Sequence, residues 1–576
     1  MKKILYISII IILFFSSFYT RFQNLGDFYT ETDDQMPISQ MLNYKRLDLY
    51  TIANDASSPS YNSYLKSKIR KLQNLNNDFI NSLQKIMSNI LGNISPSKHS
   101  TFAPMQYFLF GWMVELDQNY KDLKLNSRFP SVLFSILTIY ITFLLSKKLF
   151  SNKNFFYLLP PTIVTFSLPL IYISQRSDNY SAGAFALVSL CLFLVSQNDK
   201  TKNFYLNYDQ NETLIKKNFI ISLPILFLSY LNYMILFLTP IYFFLSFIYL
   251  SIRNNKIINQ GNYNVIITGL IYSVFLLPLL LHMLSLNLYE DGMTPSAAGT
   301  NFEYSINTYK IGGILSISKF YFTNIYLIIS ENLSFFLNNS FLSKYLKFFL
   351  FIFTIIGFFM LIFTNKTNEQ SLFFFFFSCC FLEWLILVYF NIIALGPTRH
   401  LQIFTPFFSI IFSFAIYKLI HEKFLDKIAL LLIIIIFSIF VPNYKQFSNI
   451  YKDLTNENKI LSLIEKYNVG YISNHPSFSA YLCNINSIKV RIQLCPVRFL
   501  RYKKHEKLDK KILQNLKNSS LSIAFYNKNI DENISLYLKE IGFILTYNFE
   551  ETKFKSNSPL LISKDKPNFL SIKIFK

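Results

Sequence analysis

The stretch Asp27-Phe28-Tyr29-Thr30-Glu31-Thr32-Asp33-Asp34 puts four carboxylates into eight residues, directly after the first apolar segment of a chain that is otherwise apolar and basic. Such a cluster has two readings. It is a solvated loop or a helix N-cap, or it is a general base that takes the proton of an acceptor hydroxyl. Further chemically capable groups recur beside other apolar segments. They are Lys98 and His99, Arg176 and Asp178, and Arg399 and His400. Cations there bind a phosphate and offset charge on a leaving group. The plain alternative is a snorkelling side chain at a membrane boundary; for Asp178 it is a cap on a helix starting near Tyr180.

The elements that must carry these residues are membrane helices. Of the 576 residues, 52% are hydrophobic; mean hydropathy is +0.31, and runs such as 4–19, 349–363 and 429–441 are almost free of charge. That composition excludes an ordinary soluble domain. The net charge of +22 comes from Lys and Arg that punctuate apolar runs, which is topological patterning rather than a nucleic-acid footprint. Basic ends also suit anionic lipid head groups.

Lys2 and Lys3 before the first run give a signal anchor with a cytoplasmic N-terminus. Residues 21–102 then form a long external loop, within which 61–91 repeats Leu65, Ile69, Leu72, Leu75, Phe79, Leu83, Met87 and Ile90 at helical spacing. That helix lies on the membrane surface or on the external domain. The stretches 103–117 and 129–146 are expected to make one net crossing, which leaves Lys147, Lys148 and Lys153 inside. Spans follow at 155–174 and 181–197, a pair at 219–252 hinged near Asn232 and Pro240, and one at 264–284. A polar loop (285–316) and an amphipathic stretch (317–345) come next, then spans at 346–364, 371–395, 401–417 and 428–443. The scheme is a mainly α, polytopic bundle of about 11–13 helices. Basic loops agree with it from residue 147 onward, and it places 445–576 outside. That tail alternates short strands (469–473, 487–494, 521–526, 543–549) with helices (449–466, 508–517, 532–541), as a small α/β domain does. The chain therefore divides into a membrane module, 1–443, and an extracytoplasmic domain, 445–576. Cys191, Cys379 and Cys380 lie in apolar runs as small core residues; Cys483 and Cys495 can pair if the tail is outside.

With the residues in this order, the chain resembles the GT-C glycosyltransferases that use polyprenyl-phosphate sugars, in particular the protein O-mannosyltransferase and lipid A aminoarabinose transferase group. Thr32-Asp33-Asp34-Gln35 is similar to the family's Asp-Glu pair in the first external loop. Arg128-Phe129-Pro130-Ser131-Val132-Leu133 is similar to its Arg-x-Pro-Ser-Ala-Leu helix, although Arg128 reads as fixing helix packing or cytoplasmic-side orientation rather than as a chemical residue. Tyr172-Ile173-Ser174-Gln175-Arg176-Ser177-Asp178-Asn179-Tyr180 resembles the second external motif, and Pro397-Thr398-Arg399-His400-Leu401 the start of a late helix. The chain departs from the pattern in three places. Asp34 replaces Glu, Lys98-His99-Ser100-Thr101-Phe102-Ala103-Pro104 stands where a His-Pro-Pro or Lys-Pro-Pro box is usual, and Asp178 occupies a common Arg position.

The resemblance implies an inner-membrane, inverting glycosyltransferase. It implies Asp33 as base, Asp34 and Asp178 as further active-site acids, and Lys98, His99, Arg176, Arg399 and His400 around the donor phosphate. The donor is then a polyprenyl-phosphate sugar and the acceptor a glycan, lipid or protein on the extracytoplasmic face; a divalent metal at the acids is left open. The rival readings are a polysaccharide polymerase or ligase with a lipid-diphosphate donor, and a lipid or solute transporter. A transporter predicts internal repeats and broken spans at matching positions; the sequence carries no repeat and little glycine.

Overall fold

The computed structural model describes residues 2–23, 25, 110, 113, 119–150, 155–177, 179–198, 214–257, 259, 261–274, 306–310, 312–337, 341–364, 367–389, 395, 399–451, 455–473, 482, 514, 517, 518, 520–526, 532–551 and 570–576. They form a polytopic bundle of apolar helices with a small mixed sheet at one end. Among the described residues, seven helices are long and apolar enough to cross a membrane, or eight if one bent pair counts as a span. The expected surface helix at 61–91, the strand at 487–494 and both Cys483 and Cys495 lie outside the described residues.

Helix α1 (Lys2–Phe22) packs against α2 (Tyr120–Leu149). Of the two stretches anticipated at 103–117 and 129–146, the first, apart from 110 and 113, lies outside the described residues, and the second lies within α2, a single helix of 30 residues. At about 1.5 Å per residue it is some 45 Å long, roughly 15 Å more than a hydrocarbon core. The excess is its N-terminal end, where Asn119 caps the helix by accepting from the Asp122 N–H at 2.9 Å. Pro130 lies within this helix.

The run at 155–174 is not one straight helix either. A 3-10 turn (Phe155–Leu158) leads into α3 (Leu159–Phe166), and α4 (Leu168–Ser174) follows after a 55° bend. Pro169 removes a backbone donor just past the break, and Ser167 caps α4 by accepting from Leu170 N–H at 3.3 Å. Helices α5 (Tyr180–Ser196), α6 (Leu214–Leu231) and α7 (Tyr233–Arg253) follow. The hinge of the last pair is Asn232 alone; Pro240 sits inside α7.

The amphipathic stretch expected at 317–345 falls into two helices, α8 (Gly313–Asn332) and α9 (Phe341–Phe363). They are followed by α10 (Asn368–Tyr389), a 3-10 turn (Arg399–Phe404), α11 (Thr405–Leu419) and α12 (Leu425–Tyr451). Helices α10 and α11 are antiparallel. Trp384 meets Phe404 and Phe373 meets Phe407 along a ladder of aromatic rings. Gln370, at the start of α10, donates to Leu149 O at the same end where Phe150 meets Tyr417 of α11. Helix α8 has the length and hydropathy of a span, yet both its termini touch that bundle's other end. Lys310, just before it, donates to Tyr389 O, and Asn332, its last residue, donates to Leu401 O. It therefore runs across the bundle's end rather than through it.

The sheet has strand order β1-β2-β4-β3, where β1 is Val469–Ser473, β2 Ser522–Tyr526, β3 Leu545–Glu551 and β4 Leu570–Phe575. Only β1–β2 is parallel. Strand β4 is an addition to the expected elements, although Leu570, Ile572 and Ile574 alternate as a strand should. Helix α13 (Thr455–Lys466) covers one sheet face and α14 (Glu532–Ile541) the other. The expected helix from 449 splits, its first residues belonging to α12. Tyr120 and Leu123, in the first turn of α2, join the core formed by Ile464, Ile472, Ala524 and Ile574. The overhanging end of α2 is thus the seat of the tail domain.

Candidate functional site

Four chain segments meet at the end of the bundle that carries the sheet. The first is the exit of α1. Its last carbonyls have no helical partner, and other elements supply donors. Gln175 Nε2 donates to Thr20 O (3.0 Å) and Gln23 O (3.2 Å), and Tyr444 of α12 donates to Thr20 O at 3.0 Å. Arg128 Nη1 donates to Leu25 O at 2.9 Å. Arg128 is fully buried, as a packing residue should be. Asp27, the first acid of the cluster, is two residues beyond Leu25 in the sequence and Asp33 eight; both lie outside the described residues.

The second and third segments are α2 and the turn 175–179. Ser127 Oγ and Ser177 Oγ are 2.9 Å apart, both buried. Arg176 is buried too. Its Nη1 donates to Tyr172 Oη at 3.2 Å, and its guanidinium lies 5.3 Å from the centre of that ring. Asn179 opens α5 and is held by Asn232 Nδ2, which donates to its carbonyl (3.1 Å) and its side-chain oxygen (3.2 Å). Gly183, one turn on, lets this happen: a Cβ there would sit 3.0 Å from the Asn232 side chain and 3.1 Å from Ile403.

The fourth segment is the turn Arg399–Phe404. His400 is half-buried and meets the Tyr180 ring edge-on, with centroids 4.9 Å apart. Asn332 ties this turn to the α3–α4 break. It donates to Leu401 O (2.9 Å) and accepts from Gln402 Nε2 (2.5 Å), while its own carbonyl accepts from Ser167 Oγ (2.9 Å).

The placement of the anticipated site residues follows from this frame. Arg176 contacts Tyr172 and His400 contacts Tyr180. The backbone of Arg399 opens the 3-10 turn, and its side chain is outside what is described. Asp33, Asp34, Lys98, His99 and Asp178 lie outside the described residues; Asp178 is covalently bracketed by the buried Ser177 and Asn179. Among the described residues, no three His, Cys, Asp or Glu side chains converge as a metal site would need; the acids at which a metal was left open are not among them.

Sequence reasoning missed Arg21, Gln175, Asn332 and Gln402, which are all buried. Arg21 donates from Nε to Ser135 Oγ (2.7 Å), from Nη1 to Thr165 O (3.1 Å) and from Nη2 to Val164 O (3.2 Å). It caps the C-terminus of α3, whose carbonyls the 55° break leaves open. A lone Arg just past an apolar run was its only sequence signal, and that signal reads as topology.

No protein-family model matches the chain, and no curated protein matches it in sequence. Solved structures similar to it include the Archaeoglobus fulgidus oligosaccharyltransferase AglB in complex with an inhibitory peptide and a dolichol-phosphate. That pair has a TM-score of 0.44 and 12% identity, covering 91% of this chain and 70% of the other. The same organism's oligosaccharyltransferase tethered to an acceptor peptide matches with a TM-score of 0.41 and 11% identity, over 78% of this chain. This chain spans 55% of the length of that one. The apo form gives a TM-score of 0.41 and 12% identity over 78% of this chain and 56% of that one.

Proposed function

We propose that this chain is a membrane glycosyltransferase of the GT-C kind, moving a sugar from a polyprenyl phosphate to a hydroxyl-bearing acceptor on the extracytoplasmic side. The observation that carries the reading is the convergence of the motif segments. The roots of three separate segments (Leu25, Ser127–Arg128 and Gln175–Ser177) are tied at one end of the bundle by direct bonds between buried groups, and the turn carrying His400 joins them through its contact with Tyr180 and through Asn332, which bonds both Leu401 O and Ser167. The opposite end carries Lys147, Lys148, Lys418, Lys423 and Lys427 beside the helix termini there. The positive-inside rule favours that end as the cytoplasmic one, which supports a reading with the motif roots and the tail domain outside.

In this reading Asp33 takes the proton from the acceptor hydroxyl. The acceptor oxygen attacks the anomeric carbon from the face opposite the phosphate, the anomeric C–O bond breaks, and configuration inverts. The charge gained by the departing lipid phosphate is offset by Arg176, Arg399, His400, Lys98 and His99. Asp34 and Asp178 orient the base and the sugar.

The broken span 155–174 is the feature a transporter would use, since such breaks line substrate cavities. Here the break is filled. Ser167 is buried, its hydroxyl donates to Asn332 O, and Leu168 N–H donates to Ser334 O at 2.9 Å.

The test is sugar transfer by the purified full chain from a panel of polyprenyl-phosphate and polyprenyl-diphosphate sugars, with wild type against Asp33→Asn. One donor is consumed by wild type, and the variant is slower by at least about a hundredfold. Equal rates would remove Asp33 as the base. Consumption of a diphosphate donor alone would move the protein to the polymerase or ligase class. Binding or movement of lipid with no transfer would support a transporter.

A further inference from the structure

Helix α8 carries a second feature, away from the motif roots. Between its middle and the end of α10 is an apolar groove of about 320 Å³ lined by Tyr321, Leu385, Ile386 and Tyr389. Tyr321 closes one side by donating to Leu385 O at 3.1 Å. Lys310 stands at the Tyr389 end, its Nζ 2.6 Å from Tyr389 O and 4.7 Å from the ring centre. Tyrosines beside a lysine at the end of an apolar span mark head-group depth. Helix α8 also presents Ile314, Leu315 and Phe322 outward, with exposures of 83%, 86% and 67%. A helix lying across the bundle's end with such a surface sits in the membrane interface.

The charge pattern selects an anion. Residues 306–330 contain Lys310 and Lys319 and no acid. Glu331, at the far end of α8, is paired with Lys347. Glu383 is six residues before Tyr389, about 9 Å deeper along α10, at chain depth rather than head-group depth. The Lys310 ammonium has three N–H groups, of which Tyr389 O takes one.

We propose that this groove seats one acyl chain of an anionic phospholipid from the surrounding bilayer, with the lipid phosphate on Lys310. The reacting donor is a poorer occupant. The 20 residues of α8 separate Lys310 from the Asn332–Leu401 end by about 30 Å, so a phosphate on Lys310 is too far from the motif roots to react there. The site is independent of the transferase reading.

The experiment is native mass spectrometry of the full chain released from nanodiscs containing equimolar phosphatidylglycerol and phosphatidylcholine. Wild type retains phosphatidylglycerol over phosphatidylcholine by about fivefold, the factor one lysine contributes at a membrane surface. Lys310→Gln abolishes the preference and Lys310→Arg keeps it. Ile386→Trp, which fills the groove from a lipid-exposed position, loses the retained lipid of both kinds. Equal retention by wild type, an unchanged preference in Lys310→Gln, or displacement of phosphatidylglycerol by added polyprenyl phosphate would each overturn the proposal. No sugar transfer is read, so a failure of the transferase reading leaves this result standing.

Discussion

Replacing Arg21 by Met removes the four hydrogen bonds of its guanidinium and keeps most of its bulk. Two of the acceptors, Val164 O and Thr165 O, are backbone carbonyls at the C-terminus of α3 and have no helical partner beyond the break. The other two, Ser135 Oγ and Thr20 Oγ1, are hydroxyls that can turn to their own helices. A buried carbonyl left without a donor costs about 1–3 kcal/mol. Two such costs are partly offset because the variant no longer buries a charge. The net loss is about 1–3 kcal/mol, and the melting temperature falls by a few degrees. Arg21→Lys is the sharper variant. It keeps the charge, loses the planar fork that reaches several acceptors, and buries a strongly hydrated ammonium in its place. The nominally conservative change is therefore expected to be the worse of the two. The assay is thermal unfolding in detergent, followed by tryptophan fluorescence and by the monodisperse fraction on size exclusion. If Lys melts within about 1 °C of wild type, or above Met, Arg21 is not the cap of α3 and the energetic account of the break is wrong.

Other perturbations test other joints. Gly357→Val brings a Cβ to the place where it would lie 2.1 Å from Ile411 O; it should push α9 from α11 and cost about 1–3 kcal/mol or more, seen in the same unfolding assay. Leu123→Glu puts a carboxylate into the core shared by α2 and the sheet; limited proteolysis between α12 and α13 should accelerate while the membrane helices stay intact. His400→Phe keeps the edge-on contact with Tyr180 and deletes the imidazole; with folding unchanged, KM for the lipid donor should rise roughly tenfold if the ring binds phosphate. A double-mutant cycle on Ser127→Ala and Ser177→Ala should give a coupling of about 0.6 kcal/mol, the usual size between membrane helices; zero coupling would mean the hydroxyls merely lie near each other.

Much of the fold is legible in the amino-acid sequence. The helix positions follow from apolar runs bounded by Lys and Arg, because a hydrocarbon core admits only long apolar helices. β1 and α14 appear where alternation and helical spacing put them, since period-2 and period-3.6 patterns survive whatever the domain packs against. Asn232 stands out as a polar hinge inside an apolar run. The failures share one cause, which is that linear hydropathy reports the environment of a segment and not its direction. The overhang of α2, the 55° break at Ser167 and the crosswise course of α8 all lie within runs apolar or amphipathic enough to be read as simple spans or surface helices.

For the candidate site the division is similar. The sequence alone determined which residues have the chemistry: the acids at 27–34, Arg176, His400 and the bases near other helix ends. It determined their order along the chain, and its basic loops predict one sidedness. Only the tertiary structure decided which of these segments meet. Asn332 is an unremarkable letter in a linear reading, and nothing in the sequence says what Arg128, Gln175 and Asn232 bind. Buried in a bundle, each must satisfy its polar groups on another chain segment, because no water is there to do so. Those obligatory long-range bonds gather the four segments at one end, and a one-dimensional pattern holds no record of them.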